Sequence, residues 1–183
     1  KGYAVEVDAD DLPAEAARQA TVSAGWVKII ADWIDRDLGD AADLTPLFTR
    51  EQLEGAASEA HAAGARVTAH TFATESLDDL LDAGFDCIEH GTGMTAVHME
   101  RAAAAGVPVV PTLMQVANFA GFAAQAGERF PRFAERMQRM YERRYTHVGE
   151  MHDAGVTLLV GTDAGTSIAH GDLAREAAEM ARC

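Results

Sequence analysis

The sequence is short of cysteine, of basic residues and of long apolar runs, and each shortage removes a class of protein. Two cysteines, Cys87 and Cys183, are too few for a disulfide framework and are not spaced as a zinc-ligand pair. Cys87 lies in an apolar run and reads as inert core. Only 15 Lys and Arg stand against 29 Asp and Glu, a net charge of −14, which argues against a nucleic-acid partner. The densest basic stretch, Arg132 to Arg144, is interleaved with glutamate and reads as a solvated helix face. No apolar run approaches the roughly 18 residues needed to span a bilayer. Nor does the chain start with a basic segment followed by an apolar one. No membrane association is expected, and a cytoplasmic address is the default. The chain opens with Lys1 rather than Met and stops at Cys183 inside a helical pattern, so it reads as part of something longer.

Alanine, glycine and a regular alternation of elements are what the sequence has in quantity. An apolar fraction of 48% and a charged fraction of 24% suit a globular chain, and the length suits one domain over 1–183. Residues 13–24 read as a helix, with Asp10 and Asp11 placed to cap it. A strand is expected over 26–31, a helix over 49–63 with a Thr49–Gln52 capping box, and a strand over 65–70. The alternation continues with helix 76–83, strand 86–90, helix 95–105, strand 107–112, a long helix 131–154, strand 156–163 and a helix from about Gly171. Helix, glycine, short apolar strand and polar loop repeat, which predicts a parallel sheet with crossover helices.

A doubly wound open sheet and a closed barrel both satisfy that rhythm, and the polar residues separate them. In four of the five strands a His, Lys or Asp sits within the strand or at its end. Barrels place their chemistry at the C-terminal ends of several strands around one mouth, whereas an open sheet gathers its ligand at one switch point. Alternation along a strand puts residues two apart on one face. Trp26, Lys28 and Ile30 share a face; Thr68 pairs with His70, Ile88 with His90, and Leu159 and Gly161 with Asp163. One orientation thus points Lys28, His70, His90 and Asp163 into a common interior.

Imidazole and carboxylate are ligands for zinc or a similar ion. His70 and His90 lie about one βα unit apart, so they would occupy neighbouring strands. Asp163, in a tight Gly161-to-Gly165 turn, is placed to ligate metal and to accept the proton of a metal-bound water. Lys28, flanked by Trp26, Val27, Ile29 and Ile30, is costly to bury as a bare ammonium. It either pairs with a carboxylate or reacts with carbon dioxide to give a carbamate able to bridge two ions. Singly, each residue has an ordinary structural explanation: core histidines, a turn-forming aspartate, a snorkelling lysine. The case rests on their coincidence. His61, His98, His147 and His152 fall on helical stretches and are expected to be structural or exposed.

The WVKII strand, the strand ending VTAH, the IEHG segment and the closing GTDAG with its following His170-Gly171 resemble the amidohydrolase superfamily, in particular its imidazolonepropionase-like and prolidase-like branch. The resemblance spans nearly the whole chain and corresponds to the fourth through eighth strands of the family barrel. It implies an α/β fold, a (β/α)8 TIM barrel present as a C-terminal five-strand portion without the first three strands or a flanking β-sandwich. It also implies a binuclear centre, usually two Zn2+, bridged by carboxylated Lys28 and hydroxide. His70 and His90 would bind one ion; Asp163 would bind the other and act as general base. The implied reaction is hydrolysis of a small-molecule amide or dipeptide-like C–N bond. The His-x-His ligand pair of the family's first strand is absent from this sequence, so the chain alone is expected to bind metal weakly and to be inactive. Where a relative would carry a carboxylate-gripping tyrosine after PTL, this chain has Met114-Gln115-Val116. His170, Tyr145 and Arg144 are the candidate substrate contacts. A homo-oligomer stays open, as do two competing readings: a noncatalytic α/β scaffold, and a mononuclear deaminase that would need no carbamate.

Overall fold

The computed structural model describes residues 4–165 and 167–183. In chain order it contains α1 (Leu12–Val22), β1 (Trp26–Ile30), β2 (Asp32–Ile34), β3 (Leu44–Pro46), α2 (Arg50–Ala62), β4 (Arg66–Thr71), α3 (Leu77–Asp82) and β5 (Cys87–His90). There follow α4 (Ala96–Ala105), β6 (Val109–Val110), α5 (Leu113–Val116), α6 (Phe119–Ala126), α7 (Pro131–Asp153) and α8 (Leu173–Met180). The main sheet is parallel, in the order β1-β4-β5-β6, with the helices packed on one side. This is the expected α/β partial barrel.

Local chemistry accounts for the element boundaries. The capping box forms at α2: Thr49 Oγ1 accepts from the Gln52 amide and Gln52 Oε1 accepts from the Thr49 amide at 2.9 Å. The expected aspartate caps of α1 do not form. Asp10 instead accepts from Gln52 Nε2 at 2.9 Å, which ties the entry of α1 to the start of α2. Alanine-rich faces let these two helices approach closely, and at Gly55 an added Cβ would lie 2.9 Å from Pro13 Cγ. Val27, Ile29, Val67, Ala69, Ile88 and Val109 of the sheet pack against Ala16, Ala20, Leu53, Ala57, Ala60, Leu77, Leu80 and Met99 as the principal core.

Two expectations about the strands need correction. The fifth strand, 156–163, is not a ladder. It meets β6 through a single bridge, Val109 to Leu158, with Val109 N donating to Thr157 O and Leu159 N to Val109 O, each at 2.9 Å. Pro108 and Pro111 confine β6 to two residues, because neither supplies a backbone donor to extend the pairing. The second correction concerns 32–46, which carried no expected element. It forms an antiparallel pair, β2 with β3, joined by a 3-10 turn over Arg36–Ala41. Beyond β6, the apolar stretch after PTL becomes α5 and α6. Val116, Phe119 and Ala123 build a second core there with Leu44, Phe72, Met137 and Met140. No helix among the described residues is long and apolar enough to cross a membrane.

Candidate functional site

Parallel pairing puts residues in register on one face. Lys28 is level with Thr68, Ile30 with His70, Thr68 with Cys87, and His70 with Glu89. The face away from the helices therefore carries Lys28, Thr68, His70 and Glu89. Ile88 belongs to the helix-packed core, so the expected Ile88–His90 parity does not aim His90 inward. Thr71, not His70, is its register partner. His90 reaches the site by another route. Its backbone is left-handed, with φ of 68°, and the twist brings its ring against that of His70, centroids 4.7 Å apart and edge to face.

The two imidazoles are buried, at 7% and 1% exposure, and Phe72 packs on both, 4.3 Å from His70 and 4.7 Å from His90. Burial pushes the His70 pKa down to about 3, with the Lys28 charge adding to the shift. Burial also holds His90 well below its ordinary value, helped by His70 and Lys28. Both rings are therefore neutral across ordinary pH. His90 Nδ1 lies 2.7 Å from Thr112 Oγ1. Donation from Nδ1 to this hydroxyl leaves Nε2 as a bare lone pair. The Nε2 atoms of both His70 and His90 are buried without a hydrogen-bond partner among the described residues. Two adjacent, neutral, unpartnered imidazole nitrogens are a donor set that suits a borderline divalent ion, and the residues fit one on that ground. Among the described residues, no three His, Cys, Asp or Glu side chains converge closely enough to hold an ion by themselves.

Lys28 is half-exposed and its Nζ donates to Glu89 Oε2 at 2.7 Å, while Thr68 donates to Glu89 Oε1 at 3.2 Å. Of the two fates open to a lysine on this strand, the structure shows the carboxylate partner. Asp163 follows the bridged segment, is also left-handed (φ 56°) and is intermediate in burial. Burial raises its pKa, Lys28 pulls the other way, and Glu89 adds to the rise. Asp163 thus shares its electrostatic surroundings with Lys28. Among the described residues, those other than glycine with positive φ are His90, Thr112 and Asp163, one at the end of each of three successive strand positions. Strained residues of this kind cluster at functional sites.

The remaining candidates are placed as follows. Arg144 donates to the Tyr141 carbonyl at 2.6 Å, stacks over Tyr141 and Tyr145, and lines a cavity of about 10 Å3 with His90, Thr92, Leu113 and His147. Tyr145 donates its hydroxyl to Glu179 and lies between Arg144 and Arg182, so its polar end is engaged in the α7–α8 contact. His170 is exposed in the turn before α8, near Gly165. His98 is structural: its Nδ1 accepts from the Thr95 amide at 3.1 Å at the start of α4.

Sequence reasoning missed Glu89, Thr112, Phe72 and Asp32. Glu89 was available from strict alternation along DCIEH once the sheet register was known. Asp32 left a clue in standing directly after an apolar strand. It is fully buried, and burial raises its pKa against the hydrogen bonds donated by Thr71, Ala73 and Phe72. Thr112 and Phe72 carry no signal of their own.

The Amidohydrolase family model matches residues 13–183. A protein of Mycobacterium tuberculosis strain H37Rv, Rv2915c, is 47% identical over 182 residues, 99% of this chain and 48% of its own length; Mb2939c of Mycobacterium bovis matches to the same extent. Both are described as uncharacterized, and the chain spans about half the length of these relatives. A crystal structure of a Xaa-Pro dipeptidase with bound methionine superposes with a TM-score of 0.77 at 24% identity, covering 99% of this chain and 45% of that one. A putative prolidase from Bifidobacterium longum gives 0.75 at 19%, covering 99% and 47%. An ochratoxinase from A. niger gives 0.73 at 21%, covering 93% and 38%. These likenesses establish the fold, a portion of the TIM barrel of such enzymes. The family match over nearly the whole sequence goes further: the chain belongs to the amidohydrolase family, whose members are generally metal-dependent hydrolases.

Proposed function

We propose that this chain supplies metal ligands and the general base of a hydrolase acting on amide or peptide-like C–N bonds. The observation that carries the reading is the pair of buried, neutral, unpartnered Nε2 atoms on His70 and His90, beside Lys28 and Asp163 at the same end of the sheet. His70 and His90 would hold one ion and Asp163 a second. Zinc suits the nitrogen donors. A divalent ion there supplies Lewis acidity toward the scissile carbonyl and the water that attacks it. Asp163 takes the proton of that water and returns it to the leaving amine. Burial raises its pKa above that of a free carboxylate, which favours return of the proton to the leaving amine. Full assembly needs further ligands from outside the described residues, and the chain by itself is expected to be a weak metal binder without activity.

Lys28 would carry the bridge. Its ammonium loses one proton, and the resulting neutral amine adds to carbon dioxide and releases a second, giving an anionic carbamate able to span two ions. The Glu89 pair is then the partner of Lys28 in its unmodified, metal-free form. The same 2.7 Å pair favours one alternative, a mononuclear site with an unmodified lysine, as a deaminase would use. Two experiments divide these readings. Elemental mass spectrometry on protein of checked mass gives the ion count, and growth or reconstitution with 13C-bicarbonate gives a carbamate resonance if Lys28 is carboxylated. One ion per chain and no labelled carbon would select the mononuclear site.

For substrate, the Xaa-Pro dipeptidase and prolidase likenesses point to dipeptides. Met114 is buried, which leaves that position without a polar group for a substrate carboxylate. Small amides without a free carboxylate beside the scissile bond are therefore the better first panel. Hydrolysis that survives both a strong chelator and Asp163→Asn would overturn the proposal.

A further inference from the structure

Three turns that leave the strand ends are each held by a buried ionisable side chain from elsewhere in the chain. After β4, Asp32 accepts from the Thr71 hydroxyl at 2.6 Å and from the amides of Phe72 and Ala73 at 3.1 Å each. After β5, Nε2 of His147, on α7, donates to the Gly91 carbonyl at 3.0 Å. After β6, Glu176 of α8 accepts from the amides of Leu113 at 2.6 Å and Met114 at 2.9 Å. These three side chains are 0%, 3% and 0% exposed, and they lie 39 to 63 residues from the groups they hold. Each held turn begins one residue beyond a site residue: Thr71 after His70, Gly91 after His90, Leu113 after Thr112.

Burying a carboxylate to tie down a turn is an expensive way to satisfy backbone groups. It makes sense where the backbone must not relax. His90 and Thr112 sit at φ of 68° and 47°, conformations that persist only when the surroundings over-determine them. The holders grip the chain immediately after both strained residues, and Asp32 grips the turn that carries Phe72 against both imidazoles.

We propose that Asp32, His147 and Glu176 are positioning residues for the metal centre, fixing the backbone after β4, β5 and β6 so that His70, His90 and Thr112 are in place before an ion arrives. This rests on the metal-hydrolase reading, and its test separates the two. Asp32→Asn, Glu176→Gln and His147→Leu are compared with wild type and with His147→Gln, whose amide nitrogen can replace the lost donor. Zinc affinity is measured by chelator competition, and imidazole tautomers by 15N–1H spectroscopy of the metal-free chain. Loss of a group that supports a ligand from behind typically weakens metal binding by about 10- to 100-fold. That loss is expected for the first three variants, and recovery to within about threefold for His147→Gln. In the metal-free spectra, wild type should show one His90 tautomer, and the His147→Leu and Glu176→Gln variants a mixture. Variants that unfold at lower urea yet keep wild-type zinc affinity and wild-type imidazole signals would overturn the inference, since those side chains would then only stabilise the fold. If wild type takes up no zinc even with the metal in large excess, the His70–His90 ligand reading fails, and the tautomer spectra alone decide the positioning role: a mixture sustains it and unmoved signals end it.

Discussion

At the scale of the residue, the site is a set of side chains whose protonation is governed by burial. His70, His90 and His147 all have depressed pKa values because the charged imidazolium is poorly solvated where they sit. In the unfolded chain they titrate near their ordinary value of about 6.5. Between that value and the depressed ones the unfolded state binds more protons than the folded state, so stability falls as pH falls. Urea midpoints of the metal-free chain should drop steadily from pH 7 to pH 5, and His147→Gln should shrink the drop. A flat profile over that range would show that these rings are hydrated in the folded protein. Thr112→Val tests a separate point. It removes the oxygen 2.7 Å from His90 Nδ1 and frees the ring to present either nitrogen. Zinc affinity should fall by about 10-fold or more, with little change in helix content. Asp163→Asn, by contrast, should lower turnover in the assembled enzyme by about 10²- to 10⁴-fold, the usual worth of a general base.

At the scale of the element, the loops at the mouth are packed against one another as tightly as a core. A Cβ added at Gly93 would lie 2.5 Å from the Thr74 amide nitrogen and 2.7 Å from the Phe72 carbonyl oxygen, both backbone atoms that cannot swing aside. Gly93→Ala should therefore cost about 1–3 kcal/mol, read as a lower urea midpoint with unchanged slope. Gly161 stands in a similar position over Val110, with a Cβ contact of 2.5 Å, and there a side chain can yield. Gly161→Ala should leave stability closer to wild type while shifting the segment that carries Asp163. Much of this level was legible beforehand. The alternation of helices and strands and the capping box at Thr49 follow from local rules that act over a few residues. The β2–β3 pair was not, because three-residue strands around an Asp- and Gly-rich turn carry no periodicity to detect. The inward face of β5 was misjudged for a different reason. Both faces of a parallel sheet are covered in a barrel, so an apolar Ile88 gives no hint of which side is which, and only the register with β4 shows that Glu89 faces His70. The left-handed turn that rescues His90 has no signature at all in a histidine codon.

At the scale of the whole molecule, the sheet has two ends to account for. Among the described residues β1 pairs only with β4, and at the other end the segment 156–160 is bridged rather than zipped. Trp26, Leu159 and Val160 are between 42% and 44% exposed. Unpaired apolar edges invite further strands. Light scattering of this chain should rise with concentration, and Leu159→Lys should suppress the rise; scattering that ignores the substitution would place the sticky surface elsewhere. The net charge of −14 opposes such association at low ionic strength, so added salt should bring it on at lower protein concentration.

The left-handed residues at the strand ends have a consequence for any attempt to make this protein hardier. A non-glycine residue held at positive φ costs free energy that glycine would not, so backbone preference alone favours glycine at 90, 112 and 163. A screen that selects for heat resistance and never asks for catalysis should find glycine at 163, where the side chain is only part-buried, as a small gain in melting temperature. At 90 and 112 the cavity left by a buried side chain outweighs the backbone gain. The gain at 163 would delete a side chain from the mouth of the barrel. Directed evolution of this scaffold would trade thermal endurance directly against chemical competence, at a position that can be named before the first library is built.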